Sequence, residues 1–115
     1  MIHLNPSIMD SMTEDERTAV FAAHDAFQRD VTDTGELLGF AALADPTTST
    51  TVRVRDDGTA VTDGPYVEAK EFLAGYYVVD CETQERANEL AAMLPDARLT
   101  AVEVRPVMDG AGVEM

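Results

Sequence analysis

Of the 115 residues, one is cysteine, one is lysine, two are histidine and none is tryptophan. The lone thiol, Cys81, cannot close a disulfide within the chain, and it has no Cys-x-x-Cys partner and no neighbouring base to activate it. His3 and His24 stand far apart and belong to no His-x-Glu-x-His pattern, so no metal site and no bound cofactor is expected. Long apolar runs are absent too. Nothing approaches the roughly 20 residues of a membrane span, and the opening Met1–Met12 lacks a basic segment followed by an apolar one. The expectation is a cytoplasmic protein without a membrane partner.

Positive charge is the scarcest commodity. Eight basic residues face 22 acidic ones, for a formal charge of -14. Such a surface repels a phosphate backbone and removes the counterion release that drives non-specific DNA binding, which excludes direct nucleic-acid contact. Lys70 is the only lysine, the other seven cations being arginine.

What is present reads as one domain over residues 1–115. Thr13 and Glu16 have capping-box spacing, and Val20, His24, Phe27 and Val31 fall on one helical face, so a helix is predicted from Thr13 to Thr34, with Gly35 as its stop. Glu36–Leu43 is short, apolar and interrupted by Gly39, which suits a buried strand with a bulge. Val52 and Val54 alternate with Arg53 and Arg55 before Asp57-Gly58, and a return through Ala60 and Val61 completes a hairpin that Asp63-Gly64-Pro65 ends. Gly75–Cys81 is β-branched and aromatic, a central strand. Thr83 caps a second helix striped by Ala87, Leu90, Ala91 and Leu94 and stopped by Pro95. Thr100–Val107 alternates as a last strand, and about 109–115 reads as a loose tail. With a short strand at Met1–Leu4, the order fits both helices on one face of an antiparallel sheet, a ferredoxin-like α+β fold.

Several separated motifs stand out: Asp63-Gly64-Pro65-Tyr66, then Glu68, Lys70 and Glu71, then Gly75-Tyr76-Tyr77, and finally Val102 through Pro106. In this pattern the chain resembles the DGPF-domain branch of the YCII-related proteins, with Tyr66 replacing the phenylalanine that names the motif. The resemblance implies a homodimer in which two ferredoxin-like sheets face each other as a dimeric α+β-barrel with clefts between sheet and loops. Relatives open with a fuller apolar strand, so here the first strand is expected to be clipped or the start to lie further upstream. For function the family implies either enzyme-like chemistry on a His/Asp pair in a cleft, or a non-catalytic regulatory or ligand-sensing role beside an extracytoplasmic-function sigma factor.

The candidate site residues follow from chemistry. His24 is the side chain best suited to proton exchange near neutral pH, and its alternative is a core or interface histidine. Asp63 is the expected carboxylate partner for it, or else only a turn residue. Glu68, Lys70 and Glu71 form a charged cluster that either orders a loop at the dimer rim or binds ligand. Arg105, two residues from Glu103 on one strand face, has the geometry to take a small anionic ligand. Tyr76 and Tyr77 point to opposite faces, one under a helix and the other toward the barrel interior or the partner.

Overall fold

The computed structural model describes residues 1–66 and 71–108. Its strands are β1 (Ile2–Leu4), β2 (Leu37–Ala42), β3 (Thr50–Arg55), β4 (Gly58–Asp63), β5 (Phe72–Val79) and β6 (Ala101–Val102). Its helices are α1 (Pro6–Ser11), α2 (Glu14–Asp33), α3 (Gln84–Met93) and α4 (Asp96–Leu99). The fold is mixed α+β with antiparallel pairing throughout. One sheet runs β2-β5-β1-β6, and β3 pairs β4 in a separate two-stranded sheet. The larger sheet is open, with β2 and β6 as its edges.

Local chemistry sets the helix limits. The Thr13 hydroxyl accepts the Glu16 N–H at 3.1 Å, satisfying one of the unpaired donors of the first turn, beside Glu14, Asp15 and Glu16 at the positive end of the dipole. At the other end Gly35, at φ +78°, lets its own N–H reach Thr32 and the N–H of Glu36 reach Val31, which is a Schellman closure. Thr83 caps α3 in the same way, accepting from the Arg86 N–H at 3.1 Å.

Two bulges tune the sheet. Pairing steps from Ile2↔Gly75 to His3↔Leu73, leaving Ala74 over, and from Leu37↔Val79 to Gly39↔Val78, leaving Leu38 over. An extra residue changes the phase of side-chain alternation, so Phe72 and Ala74 line the same hollow as Tyr77 despite the odd spacing. Gly75 has no substitute where β2 and β5 meet, since a Cβ there would sit 2.7 Å from the Ala41 carbonyl oxygen.

Both long helices feed a single core. Phe27 and Val31 of α2, Leu90 of α3 and Leu94 just after it bury against Ile2, with Leu4, Leu37, Tyr77, Val79 and Val102 packed around them. Burying each large side chain contributes roughly 1.5–3 kcal/mol. The β3–β4 hairpin takes no share in this core. Its Val52, Val54 and Val61 are exposed, and its open end is closed on itself by Gly64 N–H to the Ser49 carbonyl at 2.7 Å, by the Thr51 hydroxyl to the Gly64 carbonyl at 2.8 Å, and by Arg53 over the Tyr66 ring at 5.0 Å.

A polar clasp joins the two layers. Arg86 on α3 donates Nε at 3.0 Å and Nη2 at 2.9 Å to Glu36, which also receives the Thr34 hydroxyl at 2.9 Å. The Arg86 hydrogen bonds first, and Thr34 second, pull the Glu36 carboxyl from its ordinary 4.5 down to about 2. A carboxyl depressed in the folded state stabilises fully above its unfolded value and loses that contribution as pH falls through its folded one. Urea denaturation between pH 4.5 and 2 should therefore show a steep loss of stability in the native protein that is shallower in Glu36→Gln. Identical slopes would show that the clasp contributes nothing.

Sequence expectation and structure differ in places. Asp57-Gly58 is not itself the hairpin turn, because Gly58 already pairs with Arg55 and Asp56-Asp57 make the two-residue loop. The last strand is only two residues long, although the Glu103 N–H still reaches Met1 at 2.9 Å, because Val104–Val107 have no strand opposite them among the described residues. The short helices α1 and α4 add to the expected elements. The tail from 109 lies outside the described residues. No helix among the described residues is long and apolar enough to cross a membrane.

Candidate functional site

The periodicity of α2 that buries Phe27 and Val31 puts His24 on the same side one turn earlier, where the core thins out. From the sheet, Tyr77 of β5 rises to meet it. The two rings stack at 7° between planes, with His24 Nδ1 2.8 Å from the Tyr77 hydroxyl. Gln28, one turn further along α2, donates its amide to the same hydroxyl at 3.0 Å. Phe27 meets the Tyr77 ring edge-on at 4.9 Å, fixing the phenol from behind.

The second nitrogen of His24 faces a carboxylate. Asp96 Oδ2 lies 2.6 Å from Nε2, and Asp96 is only 2% exposed, the one buried acidic residue among those described. Apart from this ion pair, Oδ2 finds no hydrogen-bond donor. A carboxylate so placed needs a polar partner, and His24 Nε2 is the group that faces it. The backbone of α4 holds it there, with the Asp96 carbonyl accepting the Thr100 N–H at 2.9 Å and the Thr100 hydroxyl reaching back to the His3 carbonyl on β1. Burial, reinforced by the Asp96 and Asp25 carboxylates and partly offset by Gln28, raises the Tyr77 hydroxyl above its ordinary 10 and keeps it a proton donor.

This network closes one end of a cleft of about 420 Å³ between α2, α1 and the sheet. Its walls are apolar, with Leu4, Ile8, Val20, Phe21, Phe40 and Phe72 prominent. Asp96, His24 and Tyr77 stand in series at an apolar hollow, a set of groups whose chemistry includes proton transfer.

The expected partner of His24 is corrected by this geometry. The carboxylate set against it is Asp96, whereas Asp63 ends β4 in the separate hairpin, exposed and away from the cleft walls. Arg105 and Tyr76 also stand elsewhere. They border a second hollow of about 610 Å³ beyond the end of β1, where Arg105, 68% exposed, pairs with Glu103 on its own segment. Glu71 is exposed in the bend before β5 and lines neither hollow. Glu68 and Lys70 lie outside the described residues. Of the two tyrosines, Tyr77 is the one under the helix and Tyr76 points away.

Asp96 escaped the sequence reading because Pro95 reads as a stop. Yet Pro-Asp also opens helices, the acid favoured in the first turn, and Pro95 immediately precedes α4. No cluster of three or more His, Cys, Asp or Glu that could hold a metal ion exists among the described residues.

The model of the YCII-related domain matches residues 2–110. The chain is also similar to Uncharacterized protein R00369 of Rhizobium meliloti (strain 1021), with 37% identity over 99 residues that cover 84% of this chain and 78% of that one. With a family match that begins in β1, includes His24, Tyr77 and Asp96 and runs past β6, the chain belongs to the YCII-related domain family.

Proposed function

We propose that the protein acts as a cytoplasmic homodimer of ferredoxin-like subunits, each binding a small molecule in the His24 cleft and exchanging a proton with it. The strand order β2-β5-β1-β6, with both long helices serving one core, supports the ferredoxin-like reading. The dimer is supported by apolar surface that one chain leaves uncovered: Leu73 and Tyr76 on β5, and Val52, Val54 and Val61 on the hairpin. Two such sheets set face to face would make the barrel that the family resemblance implies.

The functional reading is carried by one observation, that His24 is held on both ring nitrogens, by Asp96 and by Tyr77, at the end of an apolar cleft. Burying an ion pair is a poor way to gain stability, so a buried pair opening on a cavity points to chemistry. Native mass spectrometry of protein purified without added ligand tests it. The expected species is a dimer of twice the 12.5 kDa chain with a small-molecule adduct that Val20→Trp, filling the cleft, displaces. A monomer, or an adduct indifferent to Val20→Trp, would contradict the proposal.

The charge of -14 favours a second reading, in which the dimer docks a basic regulatory protein such as a sigma factor. Capture of that partner would then weaken steeply as salt is raised and would be indifferent to Val20→Trp.

A further inference from the structure

The larger sheet has a gap one strand wide, separate from the His24 cleft. β5 runs from Phe72 to Val79, but β1 covers only its first part, ending with Ile2 against Gly75. Beyond that point β5 continues through Tyr77 and Val79 with β2 on one side and, among the described residues, no strand on the other. On the far side of β1 the pairing runs one residue further. The Met1 α-amino group donates to the Glu103 carbonyl at 2.7 Å, and the Glu103 N–H donates to the Met1 carbonyl at 2.9 Å. Val104–Val107 then proceeds with no strand opposite among the described residues. Between these two walls lies the hollow of about 610 Å³, lined beneath by Phe27 of α2 and by Ala87 and Leu90 of α3.

Register and charge define what fits. A strand continuing the line of β1 keeps the phase of Ile2 with Gly75, so the four positions ahead of Met1 stand opposite Tyr77, Val78, Val79 and Asp80. Residues opposite each other in an antiparallel pair share one side of the sheet, and Tyr77 and Val79 pack on the core beneath the helices. Counting back from Met1, the first and third positions therefore meet apolar surface, and the second and fourth face away. Running antiparallel to β5, such a strand brings its C-terminus to Met1. The α-amino group there has its pKa lowered from the ordinary 8.0, by burial first, with the Glu103 carboxylate opposing and Arg105 reinforcing the fall. Its positive charge is incompletely compensated. At the far end, where β5 runs out, stand Asp80 and Glu82. Cations at one end and carboxylates at the other match the polarity of a peptide laid in that direction. We infer that this gap is a docking site for the C-terminal strand of a partner polypeptide, apolar at its last and third-from-last residues, whose terminal carboxylate meets the Met1 α-ammonium. Main-chain hydrogen bonds to β5 hold such a strand, and the alternate side chains select it.

Three tetrapeptides titrated into ¹⁵N-labelled full-length protein test this: Thr-Val-Thr-Val with a free carboxylate, the same peptide with a C-terminal amide, and Val-Thr-Val-Thr with a free carboxylate. The first is expected to shift the amides of Tyr77, Val78 and Val79 and to bind about tenfold more tightly than its amide form, which brings no counter-charge to Met1. It should exceed the out-of-phase peptide by at least about tenfold, because that peptide turns threonine toward the helices. Val20→Trp, which fills the His24 cleft, should leave all three affinities unchanged, so failure here and failure of the His24 reading are told apart. No shift along β5 with the first peptide overturns the site. Equal affinity for the amide form overturns the role of the carboxylate, and equal affinity for the out-of-phase peptide overturns the register. The intact mass of the protein isolated from its native cells gives the last check. A chain of 12.5 kDa leaves the gap open to a partner, whereas one with further residues ahead of Met1 fills it in cis and overturns the partner's role.

Discussion

Replacing His24 with leucine costs about 3–5 kcal/mol of folding free energy, because it strands the Asp96 carboxylate in an apolar interior without its partner. The side chains are 18% and 3% exposed, so water can do little to screen or solvate the charge left behind. The same change strips the Tyr77 hydroxyl of one of its two partners. Two companions make the result specific. A double variant, His24→Leu with Asp96→Leu, should recover most of the loss, since removing both polar groups leaves nothing uncompensated. Asp63→Ala, on the exposed hairpin, should stay within about 0.5 kcal/mol of the native protein. Urea denaturation reads all three, and a His24→Leu cost below about 1 kcal/mol would show that the pair is not a buried unit.

Phe27→Ala is expected to cost a similar amount, about 3–5 kcal/mol, for a different reason. Phe27 is 4% exposed, sits in the cluster with Ile2, Val31, Leu90 and Leu94, and presses its edge on Tyr77. Its removal loses the transfer energy of a benzyl group and opens a void that the two helices and the sheet cannot close together. Phe21, one and a half turns earlier and 71% exposed, is its counterpart on the cleft wall. Phe21→Ala should leave stability within about 0.5 kcal/mol while weakening whatever the cleft binds. Thermal and urea denaturation alongside a binding titration separates the two phenylalanines. Equal stability losses would mean that the boundary between core and cleft has been misplaced.

Much of this was legible before any coordinates. Thr13, Gly35 and Thr83 mark helix limits through hydrogen bonds that need only neighbouring residues, so their signals survive in the bare sequence. The same holds for the His24 face of α2, because Val20, Phe27 and Val31 fix its orientation by spacing alone. Asp96 was not legible as a partner. Its role depends on α4 folding back beside α2 across 72 residues, a tertiary contact that leaves no local pattern beyond the Pro95-Asp96 helix start. Asp63 was attractive for the opposite reason, a conspicuous turn motif whose geometry serves the hairpin itself. The bulges at Leu38 and Ala74 were equally hidden, since which residue is left over depends on the register of both partners.

The relation of the two rings and the carboxylate can be read directly from the nitrogen and proton resonances of the His24 imidazole in ¹⁵N-labelled protein. Both ring nitrogens should be hydrogen-bonded, with the Nε2 proton far downfield, displaced by Asp96→Asn and untouched by Asp63→Asn. An imidazole that answers to Asp63→Asn instead, or that exchanges its protons with water as freely as a surface histidine does, would contradict the assignment of His24, Asp96 and Tyr77 as one proton-handling unit.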